Sequence, residues 1–377
     1  MLTQEQIIKN GFDIGEGMNI SDNDRLLIQV PMYHCFGIVL SMTNAITHGS
    51  SMVILPQFSN VCSADAIERY DINWMNGVPT MYSRLLKKAP DVFDRIEKGI
   101  MAGAECTPTR REEVSSRGMK VYIVYGLTEA SPGCTITNPN EDIQTDYSSV
   151  GHTLPDVTVT IRDENGNILP DDIQGEICIE GYNVMTGYLN NPEATDTVIK
   201  QGVLHTGDIG VMHNGELYYI SRLKDMIIRG GENVTPNYVE QTIEKNFPEL
   251  VGNVQVVGIA DEDKGEEVAA CIHYSGAFPY KMVVEEIVAS GVISPKDMPK
   301  YFVFVPEFNS KFEFEGEPIL TPSGKIKKHI LSTYVEKMVN GINAGDDQMS
   351  DGQSIFAVSS SDGGYSIYPD GNTAYSY

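Results

Sequence analysis

The chain is short of positive charge: 27 Lys and Arg stand against 52 Asp and Glu, a formal net charge of −25. That balance argues against a general binder of nucleic acid or anionic membrane, although a nucleotide site, which needs only local positive groups, remains compatible with it. Cysteine is scarce as well. The six, at Cys35, Cys62, Cys106, Cys134, Cys178 and Cys271, show no paired short spacing of the zinc or redox kind and read as reduced core thiols. No apolar run approaches the length needed to span a membrane, and the opening MLTQEQIIKNGFDIGEGMN lacks the basic flank and apolar stretch of a signal peptide. A cytoplasmic location is therefore expected. A Walker-type GxxxxGK[ST] loop is absent too.

What is present is ordinary globular material, 41% hydrophobic and 21% charged, in 377 residues, enough for two or more domains. Up to about Tyr125, short apolar runs such as RLLIQV, SMVIL, INWMNG, GIMAGA and VYIVYG alternate with helix-like stretches. This predicts βα units and a largely parallel sheet. Between Val150 and Ile220 the pattern changes to alternating segments, VTVTIRD, GEICIEG and GELYYIS, with a hairpin turn expected at Asn214-Gly215. Beyond Ser221 a smaller α+β domain is expected, ending in the helix KIKKHILSTYVEKMV. After Lys337 no basic residue remains, and this Gly, Ser, Asp and Tyr-rich tail reads either as disordered or as a small β-meander.

Four blocks carry a family resemblance: VYGLTEASP (Val124 to Pro132), HTGDIG (His205 to Gly210), SRLKDMIIRGGENV (Ser221 to Val234) and TPSGKIKK (Thr321 to Lys328). In this order the chain resembles the adenylate-forming superfamily of acyl-CoA synthetases, luciferases and peptide-synthetase adenylation domains. MAGAECTP, GEICIEGYNVMTGYLNNPEAT, GNVQVVGIADEDKGEEVAACI and PKYFVFVP make it most similar to the medium- and long-chain fatty acyl-CoA synthetases. The resemblance implies an α/β fold: residues 1–221 as part of a large AMP-binding domain with a parallel βα sheet and a β-rich subdomain, 222–338 as a mobile α+β domain, and 339–377 as the tail. It implies ATP (or AMP), Mg²⁺ and coenzyme A as cofactors and substrates, and a small carboxylic acid as the partner to be activated. The Ser/Thr/Gly-rich phosphate loop of the family has no counterpart here, so the chain is expected to be N-terminally truncated, with a separately encoded N-terminal half as a candidate partner.

Residue by residue, the resemblance places Tyr125 and Gly126 beside adenine, Thr128 on the α-phosphate and Glu129 on Mg²⁺, a hard cation that favours carboxylate oxygen. Thr-Glu is also good helix-start chemistry. Asp208 would accept from the ribose hydroxyls, as an ionised carboxylate is suited to do, with Arg222 supporting from the other side. Lys325 would be the mobile cation of adenylation, and Lys224 the hinge of a domain rotation between the two half-reactions. Gly230 and Gly231 fall at the pantetheine tunnel or form a plain turn. His34 matches the mouth of the acid pocket. Phe36, Gly37, Trp74, Val78, Pro79, Gly103, Ala104 and Glu105 fall in segments lining that pocket or the nucleotide site. Two other readings stand beside acid–thiol ligation: a catalytically silent fragment that binds nucleotide or acyl groups or scaffolds a partner, and an adenylation enzyme that loads a carrier protein.

Overall fold

In a computed structural model, residues 1–104, 106, 108–139, 148–277, 279–309, 311–321, 325–343, 354–361 and 364–369 are described. Glu105 lies outside them. The chain divides into two compact units, Met1–Ile220 and Ser221–Tyr377.

The first unit is built on a seven-stranded sheet. Five of its strands are parallel, in the spatial order Ser51–Ile54, Arg25–Ile28, Trp74–Asn76, Lys98–Met101, Lys120–Gly126, and Gly133–Ile136 and His152–Thr153 continue it antiparallel. Successive residues point to opposite faces, and both faces are covered. Leu26, Ile28, Ile100, Tyr122 and Val124 pack with Ile14, Met18, Leu40 and Ala45, on the helices Gln4–Met18 and Asn44–Thr47 and the intervening π-helix Ile38–Thr43. Leu27, Met101, Val121 and Ile123 pack the other way, with Ile67, Tyr82, Leu85 and Val114 on the helices Asn60–Arg69, Pro79–Lys88 and Pro108–Ser115. Burial on both sides is why RLLI and VYIVY are nearly uninterrupted apolar runs.

Strand Arg25–Ile28 lies between Ser51–Ile54 and Trp74–Asn76, so the chain leaves it first to one side and then returns to the other. A crevice opens at the carboxyl ends of strands where such a reversal occurs. Asn76 fixes this junction. Its side-chain oxygen accepts from Trp74 Nε1 (2.8 Å) and Ile100 N (3.0 Å), and its amide donates to Leu40 O and Ser41 Oγ, both at 3.1 Å. Asn76, Trp74, Ile100 and Ser41 are all at zero exposure. Asn76→Ala is expected to cost about 3 kcal/mol, because it strands several buried polar groups at roughly 1–3 kcal/mol each; denaturant unfolding of the variant measures it. Trp74, expected among segments lining the acid pocket, is fully buried in this core.

The remainder of the unit is a β-rich sheet in the order Ile199–Lys200, Val203–His213, Gly175–Gly181, Val157–Arg162, with Glu216–Arg222 paired to Val203–His213. Asn214 and Gly215 join the last two strands with φ of 50° and 82°, the left-handed pair that a two-residue hairpin turn requires.

The second unit centres on the antiparallel hairpin Val254–Asp261 and Gly265–Ile272. Tyr301–Phe304 adds parallel to it, and Ser354–Ser361 and Gly364–Pro369 extend the sheet antiparallel. Helices Pro236–Asn246 and Tyr280–Ala289 bury Val239, Ile243, Val284 and Ile287 on one face. Helix Lys328–Asn343 buries Leu331 and Val335 on the other. From the tail, Ile355, Phe356 and Val358 are buried, and the Phe356 ring meets Phe304 edge-on at 5.8 Å. Ending the chain at residue 340 is therefore expected to destabilise this unit, because it removes three buried apolar side chains whose gross burial is worth about 1.5–3 kcal/mol each. Thermal melting of the shortened chain tests this.

Candidate functional site

The carboxyl ends of four neighbouring parallel strands deliver the candidate residues of the first unit to one edge of the sheet. Arg25–Ile28 leads into the loop that carries His34, Trp74–Asn76 into Val78 and Pro79, Lys98–Met101 into Gly103 and Ala104, and Lys120–Gly126 into Thr128 and Glu129. Contacts join these loops. A Cβ on Gly103 would lie 3.2 Å from Val78 and 3.5 Å from Phe36, and Cys35 Sγ is 3.4 Å from the Thr128 hydroxyl. His34 starts the short helix Cys35–Gly37, its Nδ1 accepting from Phe36 N at 3.1 Å. Gly37 packs against Pro31 backbone, and Ala104 is exposed.

The strand Lys120–Gly126 ends abruptly because its partner crowds it. The register shifts between Tyr125 and Gly126, and a Cβ at Gly126 would fall 1.7 Å from Pro132 O. The 3₁₀ turn Thr128–Ala130 follows, and Leu127 occupies its cap position without a side-chain hydrogen bond. Thr128 is thus not the cap, and its side chain is exposed. Glu129 is half-buried, and its Oε1 accepts from the Tyr188 hydroxyl at 2.8 Å. Burial, and then this bond to a carboxylate, push the Tyr188 phenol up to about 12. No cation pairs with Glu129 among the described residues, so a hard oxygen ligand stands there without an internal counter-charge. That donor chemistry fits Mg²⁺.

Asp208 reaches the same edge from the other sheet. Strand Val203–His213 shifts register between His205 and Ile209, and the bulge turns at Gly207, φ 68°. Thr206 and Glu176 hold that bulge. The Thr206 hydroxyl accepts from Asp208 N (3.0 Å) and donates to Ile177 O (2.7 Å), while Glu176 Oε1 accepts from Gly207 N (3.0 Å) and Oε2 lies 2.7 Å from His205 Nδ1. The buried Asp208 carboxylate accepts from the Tyr125 hydroxyl at 2.9 Å. Burial, reinforced by that negative charge, drives the Tyr125 phenol well above its ordinary value, so it stays a donor. Its ring packs at 6.0 Å from Tyr219.

In the second unit, Arg222 ends the strand Glu216–Arg222, and the exposed Lys224 sits in the turn Leu223–Asp225. Gly230 and Gly231, φ 60° and 84°, connect the strands Ile227–Arg229 and Glu232–Val234, and a Cβ at either would meet nothing within 4 Å among the described residues. The positive φ at both positions favours glycine by backbone conformation alone. Arg229 anchors this hairpin through its Nε, 2.7 Å from the fully buried Glu267, and through bonds to Lys296 O and Met298 O. Lys325 closes a turn with Thr321, N to Oγ1 at 3.0 Å and O to N at 2.8 Å. Tyr188, Glu176, Asn76 and Arg229 had no signal in the sequence beyond residue type, because each works through a partner distant along the chain.

A parallel sheet covered on both faces, with polar and glycine-bearing loops gathered beside its strand-order reversal, defines an α/β protein, and in open α/β sheets such reversal points are where small-molecule ligands bind. The chain belongs to the AMP-binding enzyme family, whose model matches residues 1–189. It is similar to the putative acyl-CoA synthetase YngI of Bacillus subtilis (35% identity over 90% of this chain and 61% of that protein) and to the mitochondrial medium-chain acyl-CoA ligase ACSF2 of Rattus norvegicus (35%, 89% and 55%). Among solved structures it is similar to ATP-bound MatB from Rhodopseudomonas palustris, at 26% identity and a TM-score of 0.79, covering 90% of this chain and 65% of that one. The α/β architecture expected from the sequence is therefore the observed one, and the chain spans less than two thirds of the length of these relatives. No described helix is long and apolar enough to cross a membrane.

Proposed function

We propose that this chain carries the acid-activating and thioester-forming residues of an ATP-dependent acid–thiol ligase acting on a fatty acid in the cytoplasm. The observation that carries the reading is the convergence of His34, Gly103, Thr128 and Glu129 at the carboxyl ends of adjacent strands, with Asp208 held beside them by Tyr125. The names of the Bacillus and rat relatives support the same class.

In the first half-reaction a carboxylate oxygen attacks the α-phosphorus of ATP, the bond to pyrophosphate breaks, and acyl-AMP forms. Two anions must approach, so the site has to supply positive charge and fixed donors. Asp208, oriented by the Tyr125 hydroxyl, accepts from the ribose hydroxyls, with Arg222 in support. The Thr128 hydroxyl donates to the α-phosphate, and Gly126 leaves adenine room at the strand end. Glu129, steadied by Tyr188, would hold Mg²⁺, which when bound neutralises phosphate charge. His34 closes the mouth of the acid pocket, whose wall Gly103 and Ala104 continue. Lys325 brings its ammonium to the developing charge. In the second half-reaction the thiol of coenzyme A passes Gly231 and attacks the acyl carbonyl, its proton leaves to solvent, and AMP departs. Lys224 is the hinge, and Gly230 the companion of Gly231 in the turn.

Pyrophosphate release measured with a panel of short- to long-chain fatty acids tests this, on the 377-residue chain and on one preceded by a phosphate-loop segment or complemented by a separate N-terminal half. Acid-dependent release followed by CoA thioester formation is expected once the phosphate loop is supplied, and little from the chain alone. Three charge-assisted donors, at roughly 1.5 to 3 kcal/mol each, are worth on the order of a thousandfold or more in nucleotide binding. Absence of acid-dependent release in the completed protein would overturn the ligase reading in favour of a silent binding fragment. Transfer to a carrier protein but not to CoA would favour carrier loading.

A further inference from the structure

Cys178 is the centre of a side-chain cluster behind the bulge that carries Asp208. Strand Gly175–Gly181 alternates, sending Ile177 and Ile179 into the core and Glu176, Cys178 and Glu180 to the opposite face. Across the ladder, His205 is the direct partner of Cys178, so imidazole and thiol stand side by side on that face. Cys178 Sγ lies 3.5 Å from His205 Nδ1, which lies 2.7 Å from Glu176 Oε2, and one ligand atom from each residue falls within 4.8 Å of the others. The thiol is fully buried, whereas the His205 and Glu176 side chains keep 16% and 23% exposure, enough for an ion to enter from solvent. Arg162, the nearby guanidinium, is occupied by Glu180 at 2.5 Å.

We propose that Glu176, Cys178 and His205 form a binding site for a borderline divalent transition-metal ion, zinc first among them, with solvent in the remaining position. A tetrahedral zinc places sulfur and nitrogen ligands about 3.5 Å apart and nitrogen and oxygen ligands about 3.3 Å apart, from bonds of roughly 2.3 and 2.0 Å. The sulfur–nitrogen pair already has that spacing. The nitrogen–oxygen pair must open by roughly 0.6 Å on the same basis, as a hydrogen bond gives way to an ion. On uptake Cys178 releases its proton to solvent and the imidazole proton that Nδ1 shares with Glu176 moves to Nε2 by exchange with solvent, so one new thiolate and the existing carboxylate face the ion's two positive charges. A mixed sulfur, nitrogen and oxygen set selects zinc-like ions and disfavours Mg²⁺, which takes oxygen ligands. This proposal is independent of the ligase reading.

The test is titration of the chelator-stripped 377-residue chain with Co²⁺ as a coloured substitute for zinc. Saturable uptake of one ion per chain is expected, with a thiolate-to-cobalt charge-transfer band in the near ultraviolet, displaced by Zn²⁺ and untouched by a large excess of Mg²⁺. Cys178→Ser should abolish the band, His205→Gln should weaken uptake about tenfold or more with the thiol still present, and Cys62→Ser should change neither. Circular dichroism melting verifies that each variant is folded. If Cys178→Ser fails to fold, His205→Gln and Glu176→Gln carry the test. Absence of the band in the parent chain, its survival in Cys178→Ser, or undiminished affinity in both His205→Gln and Glu176→Gln would overturn the proposal.

Discussion

Lys325→Ala, made in a chain completed with a phosphate loop, is expected to lower acyl-adenylate synthesis about a hundredfold or more while largely sparing CoA transfer to a preformed adenylate. The magnitude is that of removing one donor aimed at developing charge in an enclosed site. The selectivity follows because charge builds on the α-phosphate and attacking carboxylate only while the adenylate forms. Gly231→Leu should behave in the opposite way, slowing thioester formation, if the thiol passes this turn as proposed. Nothing among the described residues stands within 4 Å of a Cβ at that position, so no obstruction by them is expected. The left-handed φ of 84° adds a strain of about 1–2 kcal/mol for leucine, so melting of the variant must be recorded beside its kinetics. Synthetic acyl-AMP separates the two steps. Equal slowing of the same step by both variants would show that the two-conformation mechanism does not apply.

Gly126→Ala is expected to destabilise the first unit by about 4 kcal/mol or more, at the extreme of single-substitution effects. The added methyl would overlap Pro132 O, a backbone atom held in place by the pairing of Lys120–Gly126 with Gly133–Ile136, so relief requires the ladder to part. Because Tyr125 precedes this point and Thr128 follows it, the damage should reach the site as well as the fold. Urea unfolding gives the stability loss, and AMP binding to the variant under native conditions gives the local consequence. An unchanged midpoint with unchanged AMP affinity would show that the strand end is more plastic than its packing implies.

Much of the architecture was legible locally. Runs such as RLLIQV and VYIVYG are apolar throughout because helices cover both faces of a parallel sheet. VTVTIR alternates because only one face of its strand meets the core, Val157, Val159 and Ile161 pointing inward. Asn214-Gly215 announced its hairpin through the left-handed backbone it tolerates. The sheet's reversal point was not legible, since strand order depends on which long crossover is taken and not on any window of residues.

By itself, then, the sequence determined the kinds of element, their order and the blocks that ally this chain with the AMP-binding family, because periodicity, turn chemistry and short motifs act over a few neighbouring residues. The tertiary structure alone decided who meets whom: Tyr125 and Asp208 across 83 positions, Glu129 and Tyr188 across 59, Cys178 and His205 across 27. It also turned Trp74 inward and gave Asn76 its four buried bonds. These pairings rest on strand register and sheet order, which close loops of tens of residues, and the free energy that selects them comes from burying the assembled faces together and from no local preference of the residues involved.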